Sequence, residues 1–215
     1  MTIIAINTTP RDKQDLVAFF KNAQVYLSEA VFVVVETADE DTTAPFSAQC
    51  LQDACTRFKI QEAAANLALQ VDNIYILPST APLTIGKNSF VSHPSSAIDK
   101  NIFWYNLAYY HTNKAIGIAL QNAFTDSQAM QSIHKAGGIT IMGSDTPNDI
   151  LHYNQDFSHI LLSDKIPELL KVYLDYMQEN TTQSAKDSDF TDLIDSLILN
   201  DLPPITLLVN ERCNV

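Results

Sequence analysis

Asp126 stands in a turn between two segments of opposite character, and that is where a carboxylate could do chemistry. Before it runs Ile116-Gly117-Ile118-Ala119-Leu120, a buried-strand pattern. After it come a helical stretch, the turn Ala136-Gly137-Gly138 and a second apolar run, Ile139-Thr140-Ile141. An acid at a strand-to-helix turn lies at the carboxyl edge of a parallel sheet, the usual ligand crevice of open α/β folds. Glu36 and Asp39 follow another apolar run and are expected at the same edge. Together with Asp126 they are a carboxylate cluster able to hold a cation, although such acids are more often solvated loop residues. The five histidines, His93, His111, His134, His152 and His159, are the other groups able to move protons near neutral pH. His134 falls near a helix C-terminus, where the macrodipole favours a cation. His152, in the loop from Asp149 to Asp156, reads first as a surface residue. Cys50, Cys55 and Cys213 form neither a disulfide framework nor a metal-ligand spacing. No motif in the chain implies a metal or a cofactor.

The elements that must position these groups alternate. Thr2 to Ile6 reads as a strand and Asp12 to Lys21 as a helix. Ala30 to Val35 is a continuous apolar run, the mark of a strand buried on both faces. Pro45 to Phe58 fits a helix, Asn73 to Leu77 a strand, and Leu83–Ile85 with Ser89–Val91 a hairpin. Asp99 to His111 suits a helix. Ala115–Leu120, Asp126–Lys135 and Gly138–Met142 make a βαβ unit closed by the glycine pair. Ser158–Leu162 is a last core strand, and Asp164 opens a helix to about Gln178, with Pro167 in its first turn. The expected fold is α/β, a three-layer α/β/α domain over residues 1–178 with a mostly parallel sheet. Residues 179–189 read as a polar linker. Residues 190–215 read as an amphipathic arm, packed back on the domain or a partner subunit, or else a docking peptide.

Composition narrows the function. The net charge of −12 argues against nucleic acid and anionic membrane as partners. No stretch is long and apolar enough to insert in a bilayer, and no signal peptide is seen, so the cytoplasm is the expected compartment. Glycine is scarce: 5 residues, where average usage of about 7% gives roughly 15.

At this point a resemblance becomes specific. The chain resembles the catalytic domain of the chemotaxis receptor methylesterases, the CheB family, which is similar to other α/β hydrolases in chemistry. That family's Gly-x-Ser-x-Gly-Gly turn after the first strand is matched by Asn7-Thr8-Thr9-Pro10-Arg11-Asp12. Its Val-Val-Gln-His strand end is matched by Val34-Val35-Glu36-Thr37, and its Tyr-Ile-x-Pro strand by Tyr75-Ile76-Leu77-Pro78. Its acid turn, Gly-Met-Gly-x-Asp-Gly, is matched by Asn122-Ala123-Phe124-Thr125-Asp126-Ser127, and its Ala-Gly-Gly is kept at Ala136-Gly137-Gly138.

The resemblance implies a Ser-His-Asp triad, of which only Asp126 is retained. Thr9 takes the nucleophile's place and Thr37 the base's. A hydroxyl is a poor nucleophile until a base takes its proton, and threonine cannot serve as that base. Without an imidazole, Asp126 has nothing to orient. Oxyanion stabilisation and binding alone supply about 10³–10⁴-fold over water where the hole is intact. Here Asn7, Arg11, Asp12, Asn122, Phe124 and Ser127 occupy the places of glycines that let backbone N–H groups approach an oxyanion. The implied reading is a catalytically deficient CheB-like protein that binds a chemoreceptor or other chemosensory protein. The alternative is an active protein-glutamate methylesterase or amidase with Thr9 as nucleophile. Family enzymes usually carry an N-terminal phosphoreceiver domain, and this sequence opens at the first catalytic-domain strand, so control in cis is not expected. The oligomeric state is left open.

Overall fold

The computed structural model describes residues 1–37, 48–78, 80–93, 101–120, 127–144 and 157–179. Among the described residues seven strands form one sheet in the order β3-β4-β2-β1-β7-β8-β9, and every pairing there is parallel. The strands are β1 (Thr2–Thr8), β2 (Ala30–Glu36), β3 (Lys59–Glu62), β4 (Asn73–Leu77), β7 (Ala115–Ala119), β8 (Ile139–Ser144) and β9 (His159–Leu162). A separate antiparallel hairpin joins β5 (Leu83–Ile85) to β6 (Phe90–Ser92). The helices are α1 (Lys13–Tyr26), α2 (Ala48–Gln52), α3 (Asn101–His111), α4 (Ser127–Lys135) and α5 (Ile166–Glu179). The mostly parallel α/β architecture read from the pattern is what the molecule adopts.

The continuous apolar run of β2 is buried at every position, because β2 lies between β1 and β4 with helices over both faces. Side chains alternate across a strand, so the two faces have distinct cores. On one face Ile3, Ala5, Val31, Val33, Val35 and Tyr75 pack with Phe103, Trp104 and Leu107 of α3 and Met130 and Ile133 of α4. On the other an aromatic chain runs from α1 into the sheet: Phe19 meets Phe20 at 5.1 Å, Phe20 meets Phe32 at 5.5 Å, and Phe32 meets Phe58 at 4.9 Å. Offset or edge contacts of this kind contribute about 0.5–1.5 kcal/mol each beyond their area.

The chain differs from expectation between residues 48 and 62. The helix expected to reach Phe58 ends at Gln52, and Lys59–Glu62 forms an edge strand beside β4. Gln24 at the end of α1 captures this segment: its side-chain oxygen accepts the Thr56 N–H at 3.3 Å, and its carbonyl accepts from the Arg57 guanidinium at 2.8 Å. Those tertiary bonds outweigh a weak helical preference. A short half-exposed edge strand leaves little periodicity to read.

The chain divides into two compact units, Met1–Pro167 and Glu168–Val215. Of the second, the described part is the remainder of α5, in which Leu170, Tyr173 and Leu174 are buried. The polar linker beyond residue 179 and the arm 190–215 lie outside the described residues.

Candidate functional site

The order of strands changes direction at β1. The connection after β1 leads to β2 on one side, whereas β7 lies on the other and leads away to β8 and β9. Carboxyl ends of strands at such a reversal are where open α/β sheets form their crevice. Polar side chains gather there in an otherwise apolar sheet: Asn7, Thr8, Thr9, Asp12 and Glu36 are all buried. Buried polar groups must find partners, and here they bind one another.

Thr9 follows β1 and Thr37 follows β2, so parallel pairing brings them to one edge: Thr8 lies opposite Glu36, and the Thr37 N–H donates to the Thr8 carbonyl at 2.9 Å. The Thr37 hydroxyl donates to Asn7 Oδ1 at 2.7 Å. Asn7 also ties in the neighbouring strand, since its carbonyl accepts the Leu120 N–H at 3.1 Å. The Thr9 hydroxyl donates to Asp12 Oδ2 at 2.9 Å, and the same oxygen accepts the Thr9 N–H at 2.8 Å. Thr9 is 5% exposed and Asp12 is fully buried. Asp126 lies outside the described residues, as do Asp39 and His152.

Asp12 is the residue that reading the sequence for chemistry passes over. A carboxylate stands within hydrogen-bond reach of the Thr9 hydroxyl. The signal was Thr9-Pro10-Arg11-Asp12, a hydroxyl residue followed three positions later by an acid, with Pro between. That is the mark of a helix start. The turn folds accordingly: Pro10–Asp12 is a short 3₁₀ segment leading into α1, and the Asp12 N–H donates back to the Thr9 carbonyl at 3.0 Å. A carboxylate is a weaker base than imidazole by about two to three pKa units. One already held by two donors inside the fold is better placed to fix a turn than to relay a proton.

The described histidines serve elsewhere. His111 ends α3, His134 nearly ends α4 and His159 begins β9, which places them where the chain enters the sheet, at the edge opposite Thr9. His111 is buried and its Nε2 lies 3.1 Å from the Gly86 carbonyl; burial pushes its pKa below the usual imidazole value. His134 Nδ1 lies 3.1 Å from the Ser158 hydroxyl. The backbone N–H of His93 donates to the Pro82 carbonyl beside the hairpin. Cys55 is buried, and desolvation pushes its thiol pKa up, away from the thiolate that reactivity needs. Among the described residues no group of three His, Cys, Asp or Glu side chains stands close enough to hold a metal ion. No helix there is long and apolar enough to cross a membrane.

A parallel sheet covered on both faces, with its polar residues gathered at the carboxyl end of the central strand, defines a three-layer α/β domain of the kind that binds ligands at a sheet edge. Residues 8–148 match the model of the CheB methylesterase family, and the chain belongs to that family. Its fold is similar to that of the Thermotoga maritima CheB methylesterase catalytic domain, with a TM-score of 0.67 at 18% identity over 80% of this chain and 98% of that one. No curated protein matches the chain.

Proposed function

We propose that this CheB-family domain serves a bacterial chemosensory system by binding a partner protein, a chemoreceptor or another chemosensory component, without hydrolysing its esters. The observation that carries the reading is the state of Thr9. Thr9 is almost wholly buried and its hydroxyl donates to Asp12, and the side chain in the base's place, Thr37, donates to Asn7. A nucleophile needs a lone pair facing substrate and a base to receive its proton, and this hydroxyl is turned into the fold. The turn that carries it holds no glycine between Asn7 and Asp12, so close approach of backbone N–H groups to an oxyanion has lost its usual means. The proposal needs no cofactor.

One observation favours a second reading. The Asp12 carboxylate lies 2.9 Å from the Thr9 hydroxyl, within the range of a general base. Under that reading the chain is a protein-glutamate methylesterase or amidase with a Thr9–Asp12 pair. Turnover of receptor peptides carrying glutamate methyl esters, measured as methanol release, separates the two. The deficient reading predicts release no faster than in a Thr9→Ala control, and only a slight gain from Thr9→Ser with Thr37→His. Release that depends on both Thr9 and Asp12 would establish the second reading.

A further inference from the structure

The amino edge of the sheet, opposite Thr9, holds a serine and a histidine in bonding contact. Ser158 immediately precedes β9 and lies level with Thr140 of β8, because Ile141 pairs with His159 one step further on. Thr140 also pairs with Gly117, over which Ile133 and Met130 of α4 close in. Helix α4 therefore covers this face of the sheet. From its last turn His134 reaches the serine, with Nδ1 3.1 Å from Ser158 Oγ.

The bonds that pin β9 to β8 leave the serine proton unused. The Thr140 N–H donates to Ser158 Oγ at 3.2 Å, and the Ser158 N–H donates to Thr140 Oγ1 at 2.9 Å. Both hydroxyl oxygens serve there as acceptors. A hydroxyl has one proton and two lone pairs, so beyond that pinning Ser158 keeps its proton and one lone pair. Two acceptors stand in reach: His134 Nδ1 at 3.1 Å, and Thr140 Oγ1, which already accepts, at 3.2 Å. Imidazole is by far the more basic of the two. Burial grades outward as a reactive pair requires. Thr140 is buried, Ser158 half-buried and His134 exposed, so the pair opens to solvent. A proton taken by His134 sits at the C-terminal end of α4, where the helix dipole favours a cation. In a Ser-His-Asp triad the acid supplies that stabilisation.

We infer that Ser158 and His134 form a nucleophile–base pair, separate from the Thr9 edge, that accepts acyl groups from activated esters such as aryl esters and thioesters. In the step, Ser158 Oγ bonds to the acyl carbon while its proton passes to His134 Nδ1. The bond from that carbon to the leaving oxygen or sulfur breaks, and the leaving group takes the proton from His134. The substrate class follows from what the adjoining turn lacks. The N–H groups of Ala136, Gly137 and Gly138 all donate to α4 carbonyls, so this turn has no donors to hold an oxyanion. The substrate must then supply a good leaving group, which an aryl ester or thioester has and a glutamate methyl ester does not. The inference goes beyond the protein-binding reading and is independent of it.

The test treats the full chain with p-nitrophenyl acetate at neutral pH and follows acetylation residue by residue with peptide mass spectrometry. Acetyl-Ser158 is expected to form faster than the acetyl ester of any other serine. His134→Gln, a change at an exposed position whose fold is checked by circular dichroism, is expected to slow it about 100-fold, the lower range for loss of a general base. Thr9→Ala is expected to leave it unchanged. Absence of acetyl-Ser158, formation no faster than at other serines, or an equal rate in His134→Gln would overturn the inference. So would acetyl-histidine at His134 with Ser158 unmodified, which would make the imidazole the nucleophile. Loss of the reaction in Thr9→Ala would overturn it as well, by tying the chemistry to the other edge of the sheet. Methanol release from glutamate methyl esters is read separately, so failure of the deficient reading and failure of this pair are distinguishable.

Discussion

Two turns of the molecule have opposite histories written in their glycines. The turn between α4 and β8 keeps Gly137 and Gly138, whereas the turn after β1 has none between Asn7 and Asp12. Gly137 has φ +84°, a left-handed conformation that closes α4. A Cβ on Gly138 would stand 2.5 Å from the Ala115 carbonyl oxygen, inside any tolerable contact. Gly117 and Gly143, too, sit where an added Cβ would come within 2.8 Å of a neighbouring side chain. Glycine in this chain is found where packing requires it. At the edge where substrate chemistry would require it, side chains bind one another instead. The contrast separates the demands of a fold from those of a reaction, and the proposed binding role rests on it.

Breaking the packed turn should have the largest effect. Gly138→Ala is expected to destabilise the protein by about 3 kcal/mol, the upper range for forcing atoms into a packed site, while Arg11→Ala in the other turn changes stability by no more than about 0.5 kcal/mol. Urea midpoints compare the two directly, and equal losses would erase the contrast. Next comes the bracket on Thr9. Asp12→Ala removes a buried acceptor of two hydrogen bonds and is expected to cost about 1–3 kcal/mol, with Asp12→Asn costing less because its carbonyl oxygen still accepts. A cost near zero would mean that the Thr9–Asp12 pair does not hold the turn. Thr37→Val should cost about 1 kcal/mol through the lost bond to Asn7, with no change in any ester turnover.

The smallest effect is pH-dependent. Burial lowers the pKa of His111 in the folded state, so the unfolded chain takes up a proton that the folded one resists. The contribution is absent above the unfolded histidine value of about 6.5 and becomes a loss of stability as pH falls below it, levelling off beneath the folded value. His111→Gln is expected to flatten that part of the stability profile. An unchanged slope would remove His111 as its source.

Most of the fold was legible because buried parallel strands announce themselves. Val31 to Val35 and Ile116 to Leu120 are unbroken apolar runs, and the alternation of strand and helix leaves few arrangements for them. Strand β3 was not legible, since Lys59-Ile60-Gln61-Glu62 carries one aliphatic side chain and owes its place to pairing with β4 and to Gln24. At the site, Thr9 and Thr37 were legible only through the family's motif, because nothing intrinsic to a threonine marks it as a nucleophile's replacement. Asp12 was legible in principle as the acid of a Thr-x-x-Asp helix start. Read through the family's motif it marks only a lost glycine, and a capping pattern speaks for a turn and not for chemistry.

The central claim is that the Thr9 hydroxyl is committed to Asp12 and unavailable for attack. Treatment of the full chain with a fluorophosphonate probe, followed by intact-mass and peptide mass spectrometry, tests it most directly. The predicted result is no adduct on Thr9 in the native protein at neutral pH. An adduct on Thr9 that disappears in Thr9→Ala and in Asp12→Asn would show an activated nucleophile and contradict the claim.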